Sequence, residues 1–216
     1  MAVTLKGRWS AEELVTASAT FVLIGLSVAA PSGSTYRYSW LFLSALLWIV
    51  YTLRRRLHLR AVHLALVASA LLLHNLGMFG YYRREFWTLQ FDTYVHFYFG
   101  VVGGFILRAA LEGCYGVRAW RAWIAVPVGI LGFGAVHELI EWASTMALGP
   151  ERGMLKTLAD DPYDTQKDLM NNLLGTLLSL ACVSLIQAFR RESERISVKD
   201  CAEHVPKSKS RIPNSK

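Results

Sequence analysis

Six apolar runs dominate this sequence, at about Leu14 to Ala30, Tyr38 to Leu53, Ala61 to Phe79, Phe91 to Leu111, Ala122 to Leu148 and Leu169 to Phe189. A helix needs roughly 20 mostly apolar residues to cross the hydrocarbon core. Lipid offers the backbone no hydrogen-bond partner, so segments of this kind close their own hydrogen bonds as helices. Composition agrees, because 53% hydrophobic against 18% charged residues leaves too little polar surface for an ordinary soluble domain. The predicted fold is all-α: a polytopic membrane helix bundle with about six transmembrane helices.

The net charge of +7 would suit nucleic acid if it covered a soluble face, but the cations lie in short clusters between apolar runs and in the tail. They set orientation instead. Arg54, Arg55, Arg56 and Arg60 separate runs two and three, and Arg118 and Arg121 separate runs four and five. The positive-inside rule puts these loops in the cytoplasm. An even number of spans then places Lys6 and Arg8 inside, together with Arg190, Arg191, Arg195 and Lys199, which gives an N-in/C-in topology. No nucleic-acid partner is expected. The partner is the lipid bilayer, and the location is the inner or plasma membrane, multi-pass.

Residues 1–190 read as one six-span membrane domain, and 191–216 as a basic, disordered cytoplasmic tail too poor in apolar residues to build a core. Lys6 and Arg8 before the first run resemble the start of a secretory signal, but Glu12 and Glu13 interrupt the positive flank, so an uncleaved span is expected. Cys114, Cys182 and Cys201 fall at the cytoplasmic side without metal-ligand spacing and read as reduced thiols.

Charged side chains inside a bilayer cost several kcal/mol unless paired or wet, so each marks a functional site. Here they gather at one depth. His74 and Asn75 close run three, and Asp92 and His96 open run four. His137, Glu138 and Glu141 occupy the outer half of run five, and Asp164, Gln166, Lys167, Asp168, Asn171 and Asn172 lead into run six. Residues four apart share a helix face, which pairs Asp92 with His96, His137 with Glu141, and Asp164 with Asp168. Small residues continue the same stripes inward, at Gly100, Gly103, Gly134, Gly175 and Ser179, as close helix packing in membranes requires. Asp160 and Asp161, beyond the stripe, read as a turn with favourable charge before a helix. Tyr81, Tyr82, Trp87, Tyr94 and Trp142 read as interfacial anchors.

Paired His and carboxylate groups on facing helices are the means by which helical bundles bind metals. The mixed donor set suits zinc, iron or manganese better than calcium. Asp92, His96, Glu141, Asp164 and Asp168 are the candidate metal ligands. Glu138 or His137 is the candidate general base, and Lys167 a candidate phosphate ligand. A hydrogen-bonded network without metal is the competing account of the same residues.

FDTYVHFYFG, HELIEW and DTQKDLMNNLLG occur in that order between Leu76 and Leu180. This series resembles the YjdF-like family of bacterial inner-membrane proteins, whose members carry D-x-x-x-H, E-L-x-E-W and D-x-Q-K-D-M-type motifs in the same order. The resemblance implies that Asp92, His96, Glu138, Glu141, Asp164, Gln166, Lys167 and Asp168 act together. His137 precedes the E-L-x-E-W motif and is not carried by it. Asp92 with His96, and the N-x-x-G of Asn172 to Gly175, also resemble VanZ-like membrane proteins associated with glycopeptide tolerance.

Three functions remain open from the residues. One is a metal-dependent enzyme acting on a lipid or lipid-linked substrate at the outer leaflet. The others are a proton-coupled transporter and a non-catalytic assembly or partner protein. A transporter calls for polar groups at the midplane and beyond, whereas the inner halves of runs four to six read as apolar or small, which favours a one-sided site.

Overall fold

A computed structural model describes residues 9–31, 34, 38–149 and 163–203. Six helices account for the apolar runs: α1 (Ala11–Ala29), α2 (Ser39–Leu53), α3 (Ala61–Asn75), α4 (Phe91–Tyr115), α5 (Ala119–Leu148) and α6 (Asp164–Glu203). Five are long and apolar enough to cross a membrane. At 15 residues α2 is shorter, about 22 Å at ~1.5 Å per residue. It still runs the depth of its neighbours. At one end Ser39 donates to Asn75 Oδ1 of α3 (2.6 Å), and at the other the Tyr51 hydroxyl donates to Glu13 Oε1 of α1 (3.2 Å). The all-α polytopic bundle read from the sequence is therefore the fold.

Local chemistry fixes the helix ends. Ser10 and Glu13 form a reciprocal capping box at α1, with Ser10 N donating to Glu13 Oε2 (2.8 Å) and Glu13 N to Ser10 Oγ (3.2 Å). The acidic residues that interrupt a signal-like flank thus start the helix. α6 begins at Asp164, five residues before the apolar run itself, because Asp164 to Asp168 bring negative charge to its first turn. It continues to Glu203 and carries the boundary between two compact units, which meet between Leu180 and Ala181.

Between α3 and α4 the chain makes two short 3-10 turns, Leu76–Phe79 and Tyr81–Arg83, then an antiparallel hairpin. Its strands, β1 (Glu85–Phe86) and β2 (Leu89–Gln90), pair Glu85 with Gln90 and Phe86 with Leu89. Trp87 and Thr88, the two turn residues, both adopt positive φ, as the tightest hairpin turns require. The aromatic pattern alone gives no sign of this hairpin. It folds over the start of α4 through a Tyr81–Phe86 ring stack and the ring of Phe91.

Packing follows the rule for a lipid solvent: large apolar side chains face outward, and small or polar ones face in. Phe21, Val28, Phe42, Val128 and Phe133 are exposed, while Thr16, Ser27, Asn172, Thr176 and Ser179 are buried. The α4–α6 crossing depends on glycine. A Cβ at Gly100 would collide with the backbone oxygen of Asn172, and one at Gly175 with that of Phe97. On the α5 side, a Cβ at Gly134 would press on the Asn172 amide. The small-residue stripes thus bring α4 and α6 to backbone contact one turn inward of His96 and Asp168, with α5 packed on the Asn172 side chain.

Candidate metal centre

That crossing determines what meets at the bundle end. One turn beyond Gly100 stands His96, and one turn beyond Asn172 stands Asp168, so the two must face each other. His96 Nε2 lies 3.6 Å from Asp92 Oδ1 on its own helix and 3.6 Å from Asp168 Oδ2 on α6. Ligand atoms of the three residues all lie within 4.8 Å of one another, with His96 and Asp168 buried and Asp92 half-buried. A separation of 3.6 Å is long for a hydrogen bond. It is near the ~3.4 Å edge of a tetrahedron of N and O ligands about 2.1 Å from a metal. Asp92, His96 and Asp168 form a group able to hold a metal ion.

A second layer surrounds it. On α5, His137 Nε2 lies 3.2 Å from Glu141 Oε1, and the His137 ring centroid is 6.0 Å from that of His96 and 6.3 Å from that of His74. Glu138 is 5% exposed. Its Oε2 accepts a hydrogen bond from Thr165 Oγ1 (3.0 Å), and its Oε1 is buried without a partner. Both polar atoms of the Asn172 amide are likewise buried outside hydrogen-bond geometry, although the residue lies within electrostatic reach of His96. Asp164 is half-buried and interacts with Asp92, Glu138 and Asp168. Glu138 Oε1 and the Asn172 amide are thus left buried without a partner, and buried polar atoms left unpaired are costly.

The structure therefore gathers Asp92, His96, His137, Glu138, Glu141, Asp164 and Asp168 at one end of the bundle. Gln166 and Lys167 are exposed on the other side of α6, while Asp160 and Asp161 lie outside the described residues. Tyr82, read as an interfacial anchor, instead turns inward and hydrogen-bonds His74 Nδ1 through its hydroxyl (2.6 Å). Thr165 was not singled out in the sequence, since a threonine at a helix start carries no signal of its own. Arg108 was missed against a plain one: it is a charge inside run four, only 1% exposed, paired to Glu112 (2.8 Å) and reaching the Leu180 carbonyl (3.4 Å). The inner half of α4 is consequently not purely apolar, which corrects the reading that favoured a one-sided site.

Fold and cluster together define a polytopic integral membrane protein with a His/carboxylate centre at one end of its bundle. The family model described as "Predicted membrane protein (DUF2238)" matches residues 12–188, and the chain belongs to that family. It is 33% identical to "Inner membrane protein YjdF" of Escherichia coli (strain K12) over 93 residues, covering 42% of this chain and 44% of that relative's length. The resemblance to YjdF-like proteins is thereby borne out, and the chain is a multi-pass inner-membrane protein. These matches do not bear on the likeness to VanZ-like proteins. No solved structure matches the chain.

Proposed function

We propose that this protein is a metal-dependent membrane enzyme acting on a lipid or lipid-linked substrate at the outer leaflet. The observation that carries the reading is the Asp92, His96 and Asp168 group, whose ligand atoms lie within 4.8 Å of one another beside a buried, unpartnered Glu138 oxygen. A transition metal such as zinc, iron or manganese suits these donors. It would lower the pKa of a bound water enough to make a nucleophile near neutral pH. Glu138, held through Oε2 with Oε1 unpartnered, would be the base available to accept a proton at such a centre. The face next to the cluster is greasy, with Leu139, Ile140, Trp142 and Met170 exposed, so a lipid tail can lie against α5 and α6 while its headgroup meets the centre. The outer placement rests on the N-in/C-in topology, which the clusters of Arg54 to Arg60 and Arg118 to Arg121 support.

Two measurements test this reading. Purified protein should hold stoichiometric metal, and wild type but not Asp168→Asn should convert a species in a bacterial lipid extract, with chelator abolishing the change. Identical lipid profiles for wild type and variant would sink the enzyme reading. A C-terminal alkaline phosphatase fusion should be inactive, and an active one would overturn the outer placement.

One observation favours proton-coupled transport as a second reading. Asp168, Asn172, Thr176 and Ser179 form a buried polar column along α6, and Arg108 is buried about 18 Å beyond His96 at ~1.5 Å per residue along α4. Proton uptake by proteoliposomes under an imposed gradient, lost in Asp168→Asn, would select it.

A further inference from the structure

The end of the bundle opposite the His/carboxylate cluster is basic. In the chain its cations fall in two separate loops, Arg54 to Arg60 between α2 and α3 and Arg118 to Arg121 between α4 and α5. The fold brings the first loop against the end of α4, where the second begins. Cys114 Sγ donates to the Arg56 carbonyl (2.8 Å), and a Cβ on Gly113 would collide with the His58 side chain. The first loop is a hydrogen-bonded turn. Leu59 N donates to the Arg54 carbonyl (2.8 Å), His58 takes a positive φ, and the Leu59 side chain is buried. Arg55, Arg56 and Arg60 are left exposed, as are Arg118 and Arg121.

Little of this charge is used inside the protein. Arg54 stacks over the Tyr51 ring (3.7 Å to its centroid) and donates to the Tyr51 carbonyl (2.7 Å), and Arg108 pairs with Glu112. Glu13, at the same end, closes the α1 cap and accepts from Tyr51. Among the described residues, Arg55, Arg56, Arg60 and Arg118 have no carboxylate partner, and the Arg121 guanidinium lies over the ring of Trp120 (5.2 Å). Beside these cations α5 presents an apolar stripe. Trp120, Ile124 and Val128 recur every fourth residue, so they share one helix face, and all are more than half exposed.

We propose that this end of the bundle binds an anionic phospholipid, its head group drawn to the arginines of both loops and one acyl chain lying along Trp120, Ile124 and Val128. Arginine matches a phosphate in charge and in geometry. Nucleic acid or an acidic protein would use the charge and leave the stripe uncovered, whereas a phospholipid uses both. Trp120 stands where the two meet, at the depth that tryptophan favours in a membrane. The site lies at the far end of the bundle from the proposed metal centre and stands whether or not that centre holds a metal.

Native mass spectrometry of the full-length protein tests it, with detergent-purified samples titrated with phosphatidylglycerol or with phosphatidylcholine of the same acyl chains. Each arginine near an anionic surface adds roughly five-fold to binding, so phosphatidylglycerol should be retained at least about tenfold more tightly. Arg118→Gln/Arg121→Gln should remove most of that preference. Arg84→Gln, an exposed arginine at the other end, should leave it unchanged. Equal retention of the two lipids in wild type, or a preference that survives Arg118→Gln/Arg121→Gln, overturns the proposal. Glycerol phosphate, which carries the anion without the chains, should not displace the lipid at equal concentration; displacement would reduce the site to one for a free anion. Because a double variant can fail to fold, wild type at high salt gives an independent measure. Exposed charges are screened there, so the preference should fall, and a preference indifferent to salt overturns the role of the arginines.

Discussion

The two halves of the bundle solve the same packing problem with different chemistry. α1, α2 and α3 meet around Ala19, Leu47 and Ala68, with Val67 and Leu71 closing the cluster. Their polar side chains are satisfied locally, as where Thr16 Oγ1 donates to the Glu12 carbonyl (2.8 Å) and Thr20 Oγ1 to that of Thr16 (2.9 Å). α4, α5 and α6 meet through glycine and bury carboxylates, imidazoles and an amide whose hydrogen bonds are incomplete. Ordinary packing does not require the second arrangement, because apolar side chains fill such a seam at lower cost. The first half reads as scaffold and the second as a working site. The family model spans both, so the scaffold belongs to the family design as much as the site does.

The most severe way to break this contrast is at the α4–α6 crossing. Gly175→Leu drives a side chain into the Phe97 backbone, which cannot move aside as a side-chain tip can. The variant should yield little monodisperse protein after extraction. Gly132→Leu, at a position with open space around it, should extract as wild type. Equal behaviour of the two on size exclusion would mean that the crossing is looser than described.

Next in size is the site itself. Asp168→Asn removes a buried ligand of the three-residue group and should weaken metal retention at least tenfold, measured by competition with a chromogenic chelator. Asp164→Asn, half-buried and outside that group, should cost less, and Asp160→Asn nothing. A uniform loss across the three would replace a specific centre with a diffuse acidic surface.

Leu47→Ala in the scaffold half deletes a fully buried side chain and should lower stability by about 2 kcal/mol or more. Thermal denaturation in detergent measures this. Metal content should remain that of wild type, and a parallel loss of metal would show that the halves are energetically coupled.

The smallest expected effect is that of Tyr82→Phe. The ring contacts with His74 and Phe91 survive, and only the hydrogen bond to His74 Nδ1 is lost. His74 lies outside the Asp92, His96 and Asp168 group, so the loss reaches the centre only through the row of His74, His137 and His96 rings and should weaken metal affinity by less than the ~10-fold that follows loss of a direct outer-shell partner. Competition with a chromogenic chelator should show this small loss. An unchanged affinity would return Tyr82 to the role of a membrane anchor.

Most of this was legible in the sequence, because each signal is local. Apolar run length specifies helices when the solvent offers no hydrogen bonds, and charge in a span stands out against its cost. The i, i+4 pairs at Asp92 and His96, at His137 and Glu141, and at Asp164 and Asp168 each fix a face of one helix, whatever surrounds it. The sequence could not say which of these faces meet. Asp92 and Asp164 open their helices alike, yet Asp168 is the residue that reaches His96, because Gly100 and Gly175 set the depth and rotation at which α4 and α6 cross. Likewise, only the folded 3-10 turns carry Tyr82 back to His74, eight residues away in the chain. Periodicity determines a helix and its face. Contact between faces depends on the fit of side chains far apart in sequence, and that fit is a property of the assembled bundle alone.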